Sequence, residues 1–268
     1  RSGHTARFQP AHQSTPSAAL VEPITNYAVE IQDPNNISEI LSNAIAQANG
    51  PKPGAAFVSL PQDVDDAIVE ANALPRVEPA RMGSASLTDI TWLAEQVKQA
   101  EMPVILVGAR GSDDATTEAL HQLLTQTTLP VVETYQGAGV ISRDLEEKTF
   151  FGRIGFFRNQ VGDQLLAQSD LVITVGYDAI EYEPRNWNKN ADLRIVALDT
   201  AAVQIDNNFT PERQLIGTLA DTLAFLKEKV AGYELPVASQ NKLAELKAAL
   251  RAADEPKYTP ADAGVNDP

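Results

Sequence analysis

The 268-residue chain contains no cysteine. That excludes a disulfide framework, a thiolate metal site and a cysteine nucleophile, and it fits a reducing compartment. Positive charge is scarce, with 21 lysines and arginines against 36 aspartates and glutamates, a formal net charge of −15. An excess of that size repels nucleic acid and anionic bilayers over most of the surface, so neither is an expected partner. No run is long and apolar enough to cross a bilayer, and no charged-then-apolar leader opens the chain, so a soluble cytoplasmic protein is the expectation. Internal repeats, a complete G-x-G-x-x-G fingerprint and a Walker lysine are all missing as well.

What remains is ordinary globular material, 43% hydrophobic and 21% charged, and the length exceeds the ~100 to 200 residues usual for one domain. Strand-like runs alternate with helical patterns. Tyr27 to Ile31 and Ala55 to Leu60 bracket a helix whose apolar positions are Ile37, Ile40, Leu41, Ala44, Ile45 and Ala48. Asn36 is its expected N-cap, with Glu39 as capping-box partner and Gly50-Pro51 as the stop. One strand-helix-strand unit cannot cover both faces of its own sheet. The stretch from Pro61 to Gly83, with Pro75 and Pro79, reads as a linker.

A second segment follows. Strands are predicted at 103–108, 131–135, 171–176, 194–199 and 214–217. Ser112 is the expected cap of a helix running to about Thr127; a short helix is expected around 162–168, and Leu219, Leu223, Leu226 and Val230 mark a closing one. The continuous β-branched runs imply strands covered on both faces. The predicted fold class is therefore α/β, a doubly wound open parallel sheet of Rossmann-like type preceded by a partial α/β domain. Boundaries are expected at 1–64, a linker at 65–86, the main domain at 87–233, and a further linker at 234–268 in which Leu243, Leu246, Ala249 and Leu250 form an amphipathic helix.

In such sheets ligands sit beyond the carboxyl ends of the strands. Gly108-Ala109-Arg110-Gly111-Ser112 lies between a strand and a helix, where a phosphate can bind, although an ordinary tight turn is the simpler reading. Asp199 ends its strand and can face a ribose hydroxyl or cap the next turn. Asp178, Glu181 and Glu183 offer oxygen ligands for a hard cation, against a solvated or Arg185-paired loop. Phe150, Phe151, Phe156 and Phe157 are expected to anchor a long loop at the sheet edge. Arg153 and Arg158 among them face an anion or pair with Glu146, Glu147 or Asp163. His121 reads as an exposed helical residue. His12 beside Gln13 can exchange a proton near neutral pH, though spacing alone leaves both as loop residues.

Several longer words carry a resemblance: His12-Gln13-Ser14, Val58-Ser59-Leu60-Pro61-Gln62-Asp63-Val64, Val132-Glu133-Thr134-Tyr135-Gln136-Gly137-Ala138-Gly139, Phe151-Gly152-Arg153-Ile154-Gly155 with Phe157-Arg158-Asn159-Gln160, and Gly176-Tyr177-Asp178 with Ile180-Glu181-Tyr182. In this order they resemble the catabolic acetolactate synthases, a branch of the thiamine-diphosphate enzymes, as far as about Gly232. The resemblance implies an enzyme that decarboxylates one pyruvate and joins the resulting two-carbon unit to a second, with thiamine diphosphate and Mg2+ as cofactors, in a homo-oligomer, dimer or tetramer. FAD is not expected in this branch. The resemblance also implies three α/β domains. Of these, the chain would hold the last third of the pyrimidine-binding domain and the central domain, an internal piece inactive by itself.

The Gly-Asp-Gly motif that grips the diphosphate is absent, Gly162-Asp163-Gln164 being the nearest string, and the activating glutamate would lie upstream of Arg1. Of the active-site residues that the resemblance implies, only His12 and Gln13 have a match; they are the expected catalytic pair, with no cofactor or metal ligand assigned. Asn26 stands where relatives usually have a lysine, which removes a positive charge that could face the substrate side, and Val161 where a proline is usual, which is expected to loosen a helix start. A non-catalytic Rossmann-like domain holding FAD or NAD is the competing expectation, and an architectural module for oligomer contacts is a third.

Overall fold

The computed structural model describes residues 15–70, 73–75, 80–155 and 159–254. The chain divides into two compact units, Arg1–Arg81 and Met82–Pro268.

In the first unit, α1 (Ser17–Val21) precedes β1 (Tyr27–Glu30), and α2 (Ile37–Ala48) crosses over to β2 (Ala56–Ser59), followed by α3 (Gln62–Asp65). The two strands pair in parallel, Tyr27 opposite Ala56 and Glu30 opposite Ser59. A single turn of 3-10 helix leads into α2, and Asp33 holds it by accepting the Asn35 N–H at 2.9 Å. Asn36 precedes α2 but makes no side-chain capping bond, so the expected capping box with Glu39 does not form. Asn26 has a plainly structural place. Its amide donates to the carbonyls of Gln47 and Lys52, closing the turn between α2 and β2. Leu41 and Ile45 on α2 are 44% and 64% exposed, and every residue of both strands is only half-buried. This sheet has too few strands to bury its own faces.

The second unit runs through α4 (Leu87–Gln99), β3 (Pro103–Val107), α5 (Asp114–Thr125), β4 (Val131–Glu133), α6 (Arg143–Thr149), β5 (Phe150–Arg153), α7 (Val161–Leu166), β6 (Leu171–Val175), α8 (Pro184–Trp187), β7 (Ile195–Asp199), β8 (Arg213–Ile216), α9 (Leu219–Val230) and α10 (Val237–Asp254). Its six strands lie in the order β5-β4-β3-β6-β7-β8, and every pairing is parallel. This is the doubly wound order, in which the chain leaves the centre on one side of β3 and returns on the other at β6.

Successive residues of a strand point to opposite faces. Ile105, Val107, Ile173, Val175, Val196 and Leu198 accordingly pack with α4, α5 and α9, whereas Val104, Leu106, Val172, Ile195 and Ala197 meet residues of α7, α8 and α10. Ile90, Leu93 and Val97 of α4 are fully buried, each contributing about 1.5–3 kcal/mol of transfer free energy. α10 packs through Leu243 and Leu246. Its Lys247 ammonium caps the carbonyls of Glu146 and Phe150, and Arg251 pairs with Glu147.

Local chemistry moves several boundaries. Asp113, not Ser112, caps α5, its carboxylate accepting the Thr116 N–H at 3.0 Å. The stretch expected as a loop after residue 136 contains α6 and the edge strand β5, where Phe151 is 2% exposed. Val161 does not loosen the start of α7, because Gln160 and Asp163 form a capping box there and Val161 is buried in the core.

Candidate functional site

The carboxyl ends of β3, β4, β6 and β7 meet at the centre of the second unit, and the residues after them converge on two anionic side chains. β3 ends at Gly108, and Ala109–Gly111 forms one turn of 3-10 helix. That turn is stitched to the end of β6, since Gly108 N–H donates to Val175 O and Arg110 N–H to Gly176 O, both at 3.0 Å. Gly176 has φ +61°, and a Cβ there would lie 2.3 Å from Gly111 N. A Cβ on Gly108 would come within 2.5 Å of Tyr177 Cα. Glycine at both positions lets the two backbones touch where an open sheet of this order has its crevice.

Over this contact lies Glu181. Its Oε1 accepts the N–H groups of Ala109 at 3.0 Å and Asp178 at 2.9 Å; its Oε2 accepts Ala109 N–H at 3.1 Å and the hydroxyl of Thr134. Thr134 is wholly buried at the end of β4, and its oxygen in turn accepts the Gly137 N–H at 3.0 Å. One carboxylate thus ties together the ends of three adjacent strands. The loop that carries it is pinned from below by Tyr177, Trp187 and Phe209, which pack edge to face with centroids 5.3 to 6.3 Å apart. Trp187 donates to the Tyr177 oxygen at 3.1 Å, and burial pushes the Tyr177 phenol well above its ordinary range.

The second anion is Asp199, fully buried at the end of β7. Arg110 grips it through Nε at 2.9 Å and Nη2 at 2.6 Å, and reaches Asp178 through Nη1 at 2.7 Å and the Tyr177 carbonyl through Nη2 at 3.0 Å. The Asp199 hydrogen bonds hold the guanidinium charged far beyond its usual range. Asp199 also accepts the Thr200 N–H at 2.7 Å, so it caps the following turn.

Of the acidic trio after β6, Asp178 and Glu181 meet at this centre, but Asp178 pairs with Arg110 rather than Arg185, and Arg185 pairs with the exposed Glu183. No group of three or more histidines, aspartates or glutamates among the described residues is placed to hold a metal ion. Arg153 bonds Glu133 at 3.1 Å, not Glu146, Glu147 or Asp163. Glu133 ends β4 and is 2% exposed. Burial raises its carboxyl above the ordinary value of 4.5, against the opposing pull of Arg153. A charge at the end of the β-branched run Val131-Val132 was the signal for it. His121 is half-buried and its Nε2 lies 2.7 Å from Val140 O, so it is not a freely exposed helical residue. His4, His12, Gln13, Phe156, Phe157 and Arg158 lie outside the described residues.

The crevice at this switch point does not fit thiamine diphosphate. The backbone donors at the crevice are taken by Glu181, and the carboxylates beside it are engaged by Arg110. No described helix is long and apolar enough to cross a membrane.

Comparison with known proteins gives the context. Residues 90–226 match the family "Thiamine pyrophosphate enzyme, central domain". An acetolactate synthase of Bacillus subtilis is 41% identical over 256 residues, 96% of this chain and 44% of the relative. A catabolic acetolactate synthase of Raoultella terrigena is 35% identical over 219 residues, 82% of this chain and 39% of the relative. The chain therefore spans less than half the length of these relatives. The "X-ray structure of a putative thiamin diphosphate-dependent enzyme isolated from Mycobacterium smegmatis" superposes with a TM-score of 0.68 at 17% identity, covering 88% of this chain and 45% of that one. At that identity the likeness concerns the fold.

Proposed function

The chain belongs to the thiamine pyrophosphate enzyme family, and we propose that it is the middle part of an acetolactate synthase that converts two pyruvates to 2-acetolactate and carbon dioxide. The observation that carries this reading is the 41% identity extending over 96% of the chain. Residues 1–64 are then the end of the pyrimidine-binding domain, 65–86 a linker, 87–233 the central domain, and 234–268 the way toward a diphosphate-binding domain. The whole enzyme is cytoplasmic and a homo-oligomer. When bound, thiamine diphosphate with Mg2+ would supply the electron sink, and no described residue of this chain is assigned to hold either.

No step of the reaction is assigned to the described residues. Their contribution is a rigid sheet, closed at its switch point, on which loops are positioned. His12 and Gln13 are the proposed catalytic pair, placed to approach the reacting pyruvate. Since the crevice that would receive a dinucleotide phosphate is filled by Glu181, the competing reading as an FAD- or NAD-binding module is not favoured.

The test is acetolactate formation from pyruvate by the longer protein that contains this sequence, with and without His12→Ala. Robust product from the parent and a fall in kcat of roughly a hundredfold or more in the variant support the reading. Absence of product from a folded parent supplied with both cofactors overturns the activity, and an unchanged kcat in the variant removes His12 from the chemistry.

A further inference from the structure

The seat of the Glu181 carboxylate has the construction of an anion site. Its donors are the N–H groups of Ala109 and Asp178 and the hydroxyl of Thr134, from the ends of β3, β6 and β4. Convergent backbone N–H groups of this kind bind phosphoryl oxygens in many proteins. In sheets of this strand order the place just beyond the first strand and its following turn is where a ligand phosphate is received. Here the occupant arrives from within, on a loop 72 residues further along the chain.

We infer that Glu181 is a built-in substitute for a ligand phosphate, and that it is the residue which closes the switch point of this sheet to small phosphoryl and carboxylate anions. Two features support the assignment. The carboxylate satisfies every one of these donors, so a second anion has nothing left to bind and would be repelled by the charge already there. The loop that carries Glu181 is fastened at both sides, by the buried Tyr177 and Trp187 and by the Arg110 bond to Asp178, so truncating one side chain should leave the donors in place. The inference stands apart from the proposed activity, because its readout is binding and stability rather than turnover.

The experiment compares the thermal unfolding of the wild-type chain, Glu181→Ala and Glu181→Gln in sodium formate, sodium phosphate and sodium chloride at equal ionic strength. Formate matches the group deleted in Glu181→Ala, and phosphate tests the wider claim. Glu181→Ala is expected to gain at least about 2 °C in Tm from formate and from phosphate relative to chloride. Wild type and Glu181→Gln, whose seats are filled, should show only the smaller, general salt effect common to all three proteins. Equal responses in all three proteins, or none in a folded Glu181→Ala, overturn the inference, and a response to formate without one to phosphate overturns the equivalence to a phosphoryl group. Should Glu181→Ala fail to fold in chloride, recovery of its far-UV circular dichroism on refolding in formate supports the inference, and no recovery overturns it.

Discussion

Arg110 and Asp199 hold each other through two parallel hydrogen bonds, one to each carboxylate oxygen, at 2.9 and 2.6 Å across 89 residues of sequence. Asp199 is fully buried and Arg110 is 18% exposed at its side chain. Removing one partner leaves the other as an uncompensated charge in a poorly hydrated place. Arg110→Ala should therefore destabilise the second unit by about 3–5 kcal/mol, read as a fall in the urea midpoint. Arg110→Lys should recover only part of the loss, because an ammonium cannot reproduce the planar fork.

Glu133 gives a prediction with a sign. Its folded carboxyl is raised above 4.5, so between that value and its raised folded value the native state holds more protons than the unfolded one. Stability contributed at this site is then full below the ordinary value and falls as pH rises through the folded one. Glu133→Gln removes the titration. From about pH 4 to about pH 7, Tm of the variant should decline less, or rise more, than that of the wild type. Parallel curves would remove Glu133 as a source of the pH dependence.

Gly176 combines a left-handed φ of +61° with a Cβ direction that points into Gly111 N at 2.3 Å. Neither strain is relieved by a side-chain rotation, because the obstacle is backbone. Gly176→Ala should cost more than about 2 kcal/mol and should weaken amide-exchange protection of Gly108 and Arg110, whose N–H groups bond across to Val175 and Gly176. A melting curve equal to the wild type's would show that the β3 and β6 ends are not locked as described.

The contrast between what the sequence discloses and what it conceals follows the range of the interactions. β3, β6 and β7 are legible because all of their residues are buried, which demands an unbroken apolar run. The helical faces of α5 and α9 are legible for the same reason at their own period. β5 carries no strand signal in the sequence because it is an edge strand with Gly152 at φ +86° and an irregular register against β4. α6 has no apolar stripe in the sequence, because only Leu145 and Thr149 of its seven residues are buried. The glycine turn, Asp178, Glu181 and Asp199 were all visible as candidates, but not their partners. The charge of Arg110 is spent on residues 68 and 89 positions away, and no local spacing encodes that choice. Arg185 stood nearer in sequence and paired with its neighbour Glu183 instead.

In the proposed reading this chain supplies scaffold to a thiamine-dependent enzyme without seating the coenzyme itself. Calorimetric titration of thiamine diphosphate with Mg2+ into the 268-residue chain tests it most directly. No saturable heat beyond dilution is expected; a saturable, Mg2+-dependent isotherm from this chain alone would show that it seats the coenzyme after all.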